Sequence, residues 1–505
     1  MRISEKANAS SQHGHPSKTF RTACRASVVV AESSFSSPSG FPPYGKRAML
    51  QTAKFPLILF PMILLQLGHS VLADDWPQWM GPGRDGIWRE AGIVDVFPVG
   101  GPSVRWRTKI GGGYSGPAVV GNRVFVTDKL LPDGVTDPSN PFERGEVQST
   151  ERVLCLNDAD GSILWKHEYP CPYTVSYPAG PRTTPLVKEG QVYTLGSEGD
   201  LLCLNAENGE VVWSRNFKTE YGRGTSPIWG YSSNPLLDGD RLICLIGGNG
   251  TTVVAFDKST GRELWRALDS SDRHGAGYGS PVIVETGGVR QLIVWHPSAI
   301  SSLDPVTGNV HWNQSFEVKE GLTVATPRLS QDNQFLFVSA FYNGSLLLRL
   351  DPNRPEASVV WQRAGQSERL TDSLHSLMST PVIENGYLYG VCSFGELRCL
   401  ELATGDRKWS TFEPTSGESM RWGTAFLVKH QNRYFLFNEK GDLIIARLTP
   451  EAYTEISRAH VLEPTGPAQR RHVVWTNPAY ANRSAYVRND REIVSVSLAK
   501  QGIVP

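Results

Sequence analysis

Two short stretches bring a carboxylate and an imidazole close together: Asp272 with His274, and Asp372 with His375. Such a pair can serve as general base or as part of a ligand set, although solvated loop residues are its commoner origin. The rest of the reactive inventory is thin. No clustered Cys/His spacing for zinc, phosphate-cradling glycine loop or serine nucleophile elbow is present, so neither a catalytic residue nor a metal site is assigned. What the chain offers instead is a set of residues at one register. Tyr114, Arg182, Ser232, Tyr278, Val324, Met378, Trp422 and Trp475 stand three positions ahead of Pro117, Pro185, Pro235, Pro281, Pro327, Pro381, Ala425 and Pro478. Four aromatic faces and one guanidinium suit a flat, anionic or sugar-like ligand, if these positions meet in space.

The elements that would make them meet are repeats. Each unit opens with Ser, Thr or Asn before the proline and a short apolar strand, then a glycine-bearing turn and a second strand. A third strand follows a Gly-x-Leu pattern, and a Thr-Gly or Asn-Gly turn leads to a strand ending in tryptophan. Thr184-Pro185-Leu186-Val187 through Gly199-Asp200-Leu201-Leu202-Cys203-Leu204 to Asn208-Gly209-Glu210-Val211-Val212-Trp213 is the clearest copy. Four strands joined by tight turns make one propeller blade. Eight openings spaced by roughly 45 to 70 residues predict an all-β, eight-bladed propeller of four-stranded antiparallel blades.

The closing tryptophans are Trp165, Trp213, Trp265, Trp312, Trp361 and Trp409. The seventh unit substitutes Ile456 to Leu462, and the eighth runs out of chain after Glu492 to Leu498. Val104-Arg105-Trp106-Arg107 looks like a closing strand with nothing before it, so it is predicted to complete the last blade and remove a free edge. In a propeller the loops leading into the inner strands ring the central channel. The eight residues should therefore surround its mouth, either binding a ligand or plugging the opening. The first unit's insertion, Leu131-Pro132-Asp133-Gly134 through Glu143-Arg144-Gly145, should open on the same face and cover the mouth or meet a partner.

Phe256-Asp257-Lys258-Ser259-Thr260-Gly261-Arg262-Glu263-Leu264-Trp265 resembles the tryptophan-docking motif of pyrroloquinoline-quinone (PQQ)-like repeat propellers, and the likeness covers nearly all of 103–498. It implies that Trp106, Trp165, Trp213, Trp265, Trp312, Trp361 and Trp409 pack between neighbouring blades. The repeat occurs both in quinoprotein dehydrogenases and in the non-catalytic propeller of the outer-membrane β-barrel assembly machine. Two end motifs, Trp76-Pro77-Gln78-Trp79-Met80-Gly81-Pro82-Gly83-Arg84-Asp85-Gly86 and Trp475-Thr476-Asn477-Pro478-Ala479-Tyr480-Ala481-Asn482-Arg483, are similar to those of secreted planctomycete-type PQQ-repeat proteins. A dehydrogenase of this family would imply PQQ with calcium held by carboxylate and amide oxygens, an aspartate base and a stacking tryptophan. Trp422 or Trp475 could stack and Arg182 could hold a carboxylate, but no acid occupies the ring register. The adjacent-cysteine pair of many quinoprotein alcohol dehydrogenases is absent. Cys155, Cys203 and Cys399 instead fall at equivalent third-strand positions, where a small apolar side chain fits a blade core.

The 505 residues carry 50 Lys and Arg against 50 Asp and Glu, so net charge gives no reason to expect a nucleic-acid partner. Residues 1–48 read as a non-globular extension, and 49–73 as a signal peptide. Lys46, Arg47 and Lys54 precede or open the apolar run from Phe55 to Leu67, which ends in small residues at Ala73. The run is shorter than the roughly 20 residues of a membrane span, so no span is expected in the mature chain. Met49 is the expected start and cleavage is expected near Ala73. Residues 74–102 read as a linker and 103–505 as one propeller. Together these features predict an exported, periplasmic or secreted, non-catalytic binding or scaffold protein. Its partner would be a protein, peptide or glycan of the cell envelope, with no cofactor. The alternative is a PQQ-dependent oxidoreductase acting on an alcohol or sugar.

Overall fold

A computed structural model describes residues 74–270 and 274–500 of the chain; the expected signal peptide, its N-terminal extension and Asp272 lie outside them. The described residues form eight four-stranded antiparallel sheets and one two-stranded hairpin. Blades 1 to 7 span 118–170, 186–216, 236–267, 282–315, 328–363, 382–411 and 425–460, and blade 8 combines 479–497 with the strand Val104–Lys109. Each blade is a consecutive meander, with the innermost strand starting directly after its proline, or at Ala425 in blade 7. Proline lacks an N–H, and it sits where the chain enters the ring rather than within a ladder. The fourth strand of blade 7 is Tyr453–His460, beginning three residues ahead of the expected Ile456.

The outer strands show why tryptophan recurs. In blades 1 to 6 the register slips by one residue just before the tryptophan. Such a bulge turns the side chain toward the next blade. Directly opposite on the third strand stand Cys155 for Trp165, Cys203 for Trp213, Ala255 for Trp265, Ser302 for Trp312 and Cys399 for Trp409. In these five a small side chain leaves room for the indole, whereas Leu347 stands opposite Trp361. The indole N–H of Trp165 donates to the Ala206 carbonyl of blade 2 at 3.0 Å, that of Trp213 to Lys258 of blade 3 at 2.9 Å, and that of Trp265 to Pro305 of blade 4 at 3.2 Å. Trp361 reaches Leu402 at 2.9 Å and Trp409 reaches Thr449 at 2.7 Å. Trp312 departs from the pattern, donating to Gln291 of its own blade at 3.0 Å.

The ring closes through Val104–Lys109, which pairs with Glu492–Ser497 and gives blade 8 the same four strands as the others. This covers the backbone row that Glu492–Ser497 would otherwise leave unpaired.

Residues 74–102 are not a passive linker. They cross the end of the channel opposite the ring residues, touching inner strands in turn. Trp76 bridges to Val119 of blade 1, and the Pro77 carbonyl accepts from Val187 of blade 2. Arg84 donates to the carbonyls of Pro235 at 3.0 Å and Pro281 at 3.4 Å, at the openings of blades 3 and 4. Arg328 of blade 5 donates to the Asp85 carbonyl at 2.8 Å, and Ile87 bridges to Lys429 of blade 7. Trp76, Trp88, Ile93 and Phe97 then join the core shared by blades 7, 8 and 1. A floor strung across six blades satisfies backbone groups that would otherwise face an empty channel.

Among the described residues, all six cysteines are buried and unbridged, Cys171 and Cys244 included.

Candidate functional site

The Ser, Thr or Asn ahead of each proline links one blade opening to another. The Thr184 amide donates to Asn234 Oδ1 at 2.7 Å, the Asn234 amide to Ser280 Oγ at 3.1 Å, and the Thr326 amide to Thr380 Oγ at 3.1 Å. Asn477 Nδ2 reaches past blade 1 to Thr184 Oγ1 at 3.5 Å. It can do so because blade 1 has Gly116 there, where any Cβ would collide with the Asn477 amide. This polar ring fixes the residues three positions upstream.

All eight of those residues line one central cavity of about 540 Å³, within the roughly 300–1,000 Å³ that small-molecule sites occupy. Tyr114, Arg182, Ser232, Tyr278, Val324, Met378, Trp422 and Trp475 thus surround a space rather than plug it. Trp79 contributes to the floor, its indole donating to Thr326 Oγ1 at 3.1 Å.

Aromatic rings crowd one side of this cup. Trp422 and Trp475 lie 6.1 Å apart at 67°, and Tyr177 stands 5.9 Å from Trp475 at 40°. Phe142, from the blade 1 insertion, packs 5.1 Å from Tyr177 and 5.7 Å from Trp422. Tyr177 and Trp422 hold left-handed backbone, with φ of 55° and 63°, a conformation that costs a side-chain-bearing residue energy and that clusters at binding sites. Burial pushes the Tyr177 phenol up to about 12.

Cations occupy two places. Arg182 packs 5.3 Å from the Tyr114 ring, and its terminal nitrogens donate to the carbonyls of Gly180, Ser176 and Tyr177 and to Ser197 Oγ, at 2.7 to 2.9 Å. The fork expected to grip a carboxylate is spent on backbone; its charge remains, without a carboxylate partner among the described residues. Across the cup, Tyr342 brings two more cations together. Lys319 lies 4.7 Å from its ring, and Arg421 donates to its hydroxyl at 3.4 Å while resting 5.4 Å from Trp422.

The acid–imidazole pairs do not converge here. Asp372 pairs with Arg363 at 2.8 Å on an outer strand. His375 is fully buried, bonded to the Phe341 carbonyl at 2.9 Å, and desolvation lowers its pKa. His274 stacks on Trp229 at 5.5 Å with Nε2 3.5 Å from Glu320, at the cup wall.

Glu320 is the acid that lines the cup. Glu439 lies behind Trp475, bound by Arg471 through two 3.0 Å contacts. No three His, Cys, Asp or Glu side chains gather as a metal site among the described residues. The carboxylate part of a calcium-binding set is therefore not gathered among the described residues.

Several contributors carried no register signal: Trp79, Tyr177, Trp229, Lys319, Glu320 and Arg421. Phe142 and Tyr342 belong to second-to-third-strand loops, the class expected to open on this face.

Eight four-stranded blades, six of them docked on the next through a tryptophan, a donated closing strand and a loop-lined cup define a PQQ-like repeat propeller. The chain belongs to that family: the family model described as outer membrane protein assembly factor BamB matches residues 149–411. Among solved structures, the quinohemoprotein alcohol dehydrogenase ADHIIG from Pseudomonas putida HK5 is 12% identical, covering 85% of this chain and 81% of its own, with a TM-score of 0.54. BamB from Moraxella catarrhalis is 15% identical, covering 73% of this chain and 98% of its own, with a TM-score of 0.48. At its identity and TM-score, the quinohemoprotein shows a shared fold and nothing more. No curated protein matches this chain. No helix among the described residues is long and apolar enough to cross a membrane.

Proposed function

We propose that this protein is an exported, non-catalytic binding propeller of the cell envelope, which holds a protein, peptide or glycan partner at its central cup. The observation that carries the reading is the convergence of eight repeat-equivalent residues on one open cavity with aromatic walls and a closed floor. Such a site offers apolar faces and fixed charge for recognition. The carboxylate next to Trp475, Glu439, is held by Arg471 through two 3.0 Å contacts, which favours a structural role for it over that of a base. Family membership and the expected leader support the extracytoplasmic setting.

The test is a titration of the purified protein, followed by tryptophan fluorescence and thermal unfolding, with three probes: oligosaccharide pools, peptide pools, and PQQ with calcium. Saturable binding of a saccharide or peptide that is lost in Trp422→Ala or Trp475→Ala, with no effect of PQQ, supports the reading. A saturable rise in Tm with PQQ and calcium, accompanied by alcohol- or sugar-dependent reduction of an electron-acceptor dye, replaces it with the quinoprotein oxidoreductase.

A further inference from the structure

Resting on the binding reading above, we propose that the cup is a site for an anionic saccharide, whose carboxylate or sulfate lies between Lys319 and Arg421 and whose ring rests against Trp422 and Trp475.

The charge argument begins at Tyr342. Its ring and hydroxyl hold Lys319 and Arg421 at one corner of the cavity. Lys319 meets no carboxylate among the described residues, and Arg421 has only Glu368 at 3.7 Å, beyond hydrogen-bond length. Arg421 lines the cavity beside Lys319, and its guanidinium is a planar fork from which a carboxylate or sulfate can accept. Arg182 adds a third positive charge on the opposite wall. Glu320 opposes them, but its carboxylate faces His274. Three cations against one lining acid favour an anion, and partial enclosure strengthens the attraction relative to open water.

The shape argument comes from the aromatic wall. Trp422, Trp475, Tyr177 and Phe142 meet at angles from 40° to 83°, and no two of them form a parallel slot. A flat fused ring system needs such a slot to be sandwiched. A puckered sugar ring instead lays its C–H face on a single indole, drawn by the negative π face, while its substituents reach the neighbouring walls.

A peptide is disfavoured by the state of the backbone. The amides of Tyr114, Tyr278 and Trp422 already donate to Pro181, Thr323 and Ser393 at 2.7, 3.2 and 2.9 Å. An extended peptide seeks main-chain partners, whereas the groups left for a ligand here are ring faces and side-chain cations.

The experiment uses the purified protein in isothermal titration against matched oligosaccharides: uronate-containing, sulfated and neutral, with an acidic peptide pool as a fourth arm. Binding of the uronate or the sulfated form, weakened by added salt and by about tenfold or more in Lys319→Gln combined with Arg421→Gln, is the expected result. The neutral form should bind weakly and lose nothing in that variant. Lys319 is exposed, so Lys319→Gln alone serves as a folded control, with a smaller loss of the same kind. The uronate and sulfate arms distinguish the two sources of the anion. Equal binding of neutral and acidic saccharides, or binding of the acidic peptide alone, overturns the anionic saccharide while the binding propeller stands. If no arm binds to protein that unfolds cooperatively, the anionic saccharide falls, and the titration with general peptide pools decides whether the binding propeller stands.

Discussion

The indole N–H of Trp106 donates to the carbonyl of Asp158 at 2.6 Å, joining a strand from the N-terminal end of the propeller to the third-strand turn of blade 1. The same relation holds between blades 1 and 2, 2 and 3, and 3 and 4, so the clasp that closes the ring copies the joint that builds it. Its shelf is Gly161, at φ 73°, where an added Cβ would stand 2.6 Å from the indole. Arg105 beside it pairs with Asp158 at 2.9 Å, so polar and apolar contacts act at one point.

Trp106→Ala should destabilise the fold by about 3–5 kcal/mol, the usual cost of emptying a buried large aromatic site. Gly161→Ala should also destabilise, through both the left-handed backbone and the collision. Urea unfolding of the two variants checks this. Unchanged midpoints would mean that blade 8 holds its borrowed strand by backbone pairing alone.

Arg84 fastens the floor. Its guanidinium spans carbonyls at the openings of blades 3 and 4, and burial pulls its pKa down to about 10. Hydrogen bonds from a charged group are worth about 1.5–3 kcal/mol, so Arg84→Ala should lower stability by about that amount. Arg84→Met should cost less, because removing a buried charge recovers desolvation energy while the stem still fills space. Equal losses in the two variants would show that the cavity, rather than the carbonyl contacts, sets the cost.

The fold was legible because it repeats: the proline openings, the Thr-Gly turns and the spaced tryptophans each mark one joint, and their agreement specifies eight blades. The cup was legible for the same reason, since one register ahead of each proline named residues from Tyr114 to Trp475 that face a common space. What stayed hidden has no repeat equivalent. Trp79 and Arg84 belong to a segment that occurs once, so nothing in the pattern revealed that residues 74–102 cross the channel. Lys319 and Arg421 meet only through Tyr342, a contact between loops of different blades. The fate of Arg182 depended on where four oxygens fall, which its position in the sequence does not state.

The thiols of Cys155, Cys203 and Cys399 sit opposite docking tryptophans, and burial pushes them up to about 11, 12 and 11. Thiolate is the reactive form, so these three should resist a thiol-specific reagent at pH 8 in the native protein and react fully in denaturant. Peptide mapping of alkylated sites reads the result. Rapid native labelling at Cys203 would show that the outer strand of blade 2 opens readily.

Acid should weaken the fold through histidines that fold in the neutral form. His296 is buried, its Nε2 3.1 Å from Ser301 Oγ and its Nδ1 without a partner, and desolvation lowers its pKa to about 4. His375 and His430 shift in the same direction, also chiefly by desolvation. In the unfolded chain such an imidazole takes up a proton near pH 6.5. Between that pH and about 4 the unfolded state therefore binds more protons than the native one. Stability is full above about pH 6.5 and is lost as pH falls through the folded value. For His296 alone the depression corresponds to at most about 3 kcal/mol. Unfolding free energies of the parent and His296→Gln, measured from pH 7 to pH 4, should converge as the pH falls, because the glutamine has no proton to gain. Parallel curves would mean that His296 takes up its proton in the native state at no cost, and that the acid sensitivity of the ring lies elsewhere.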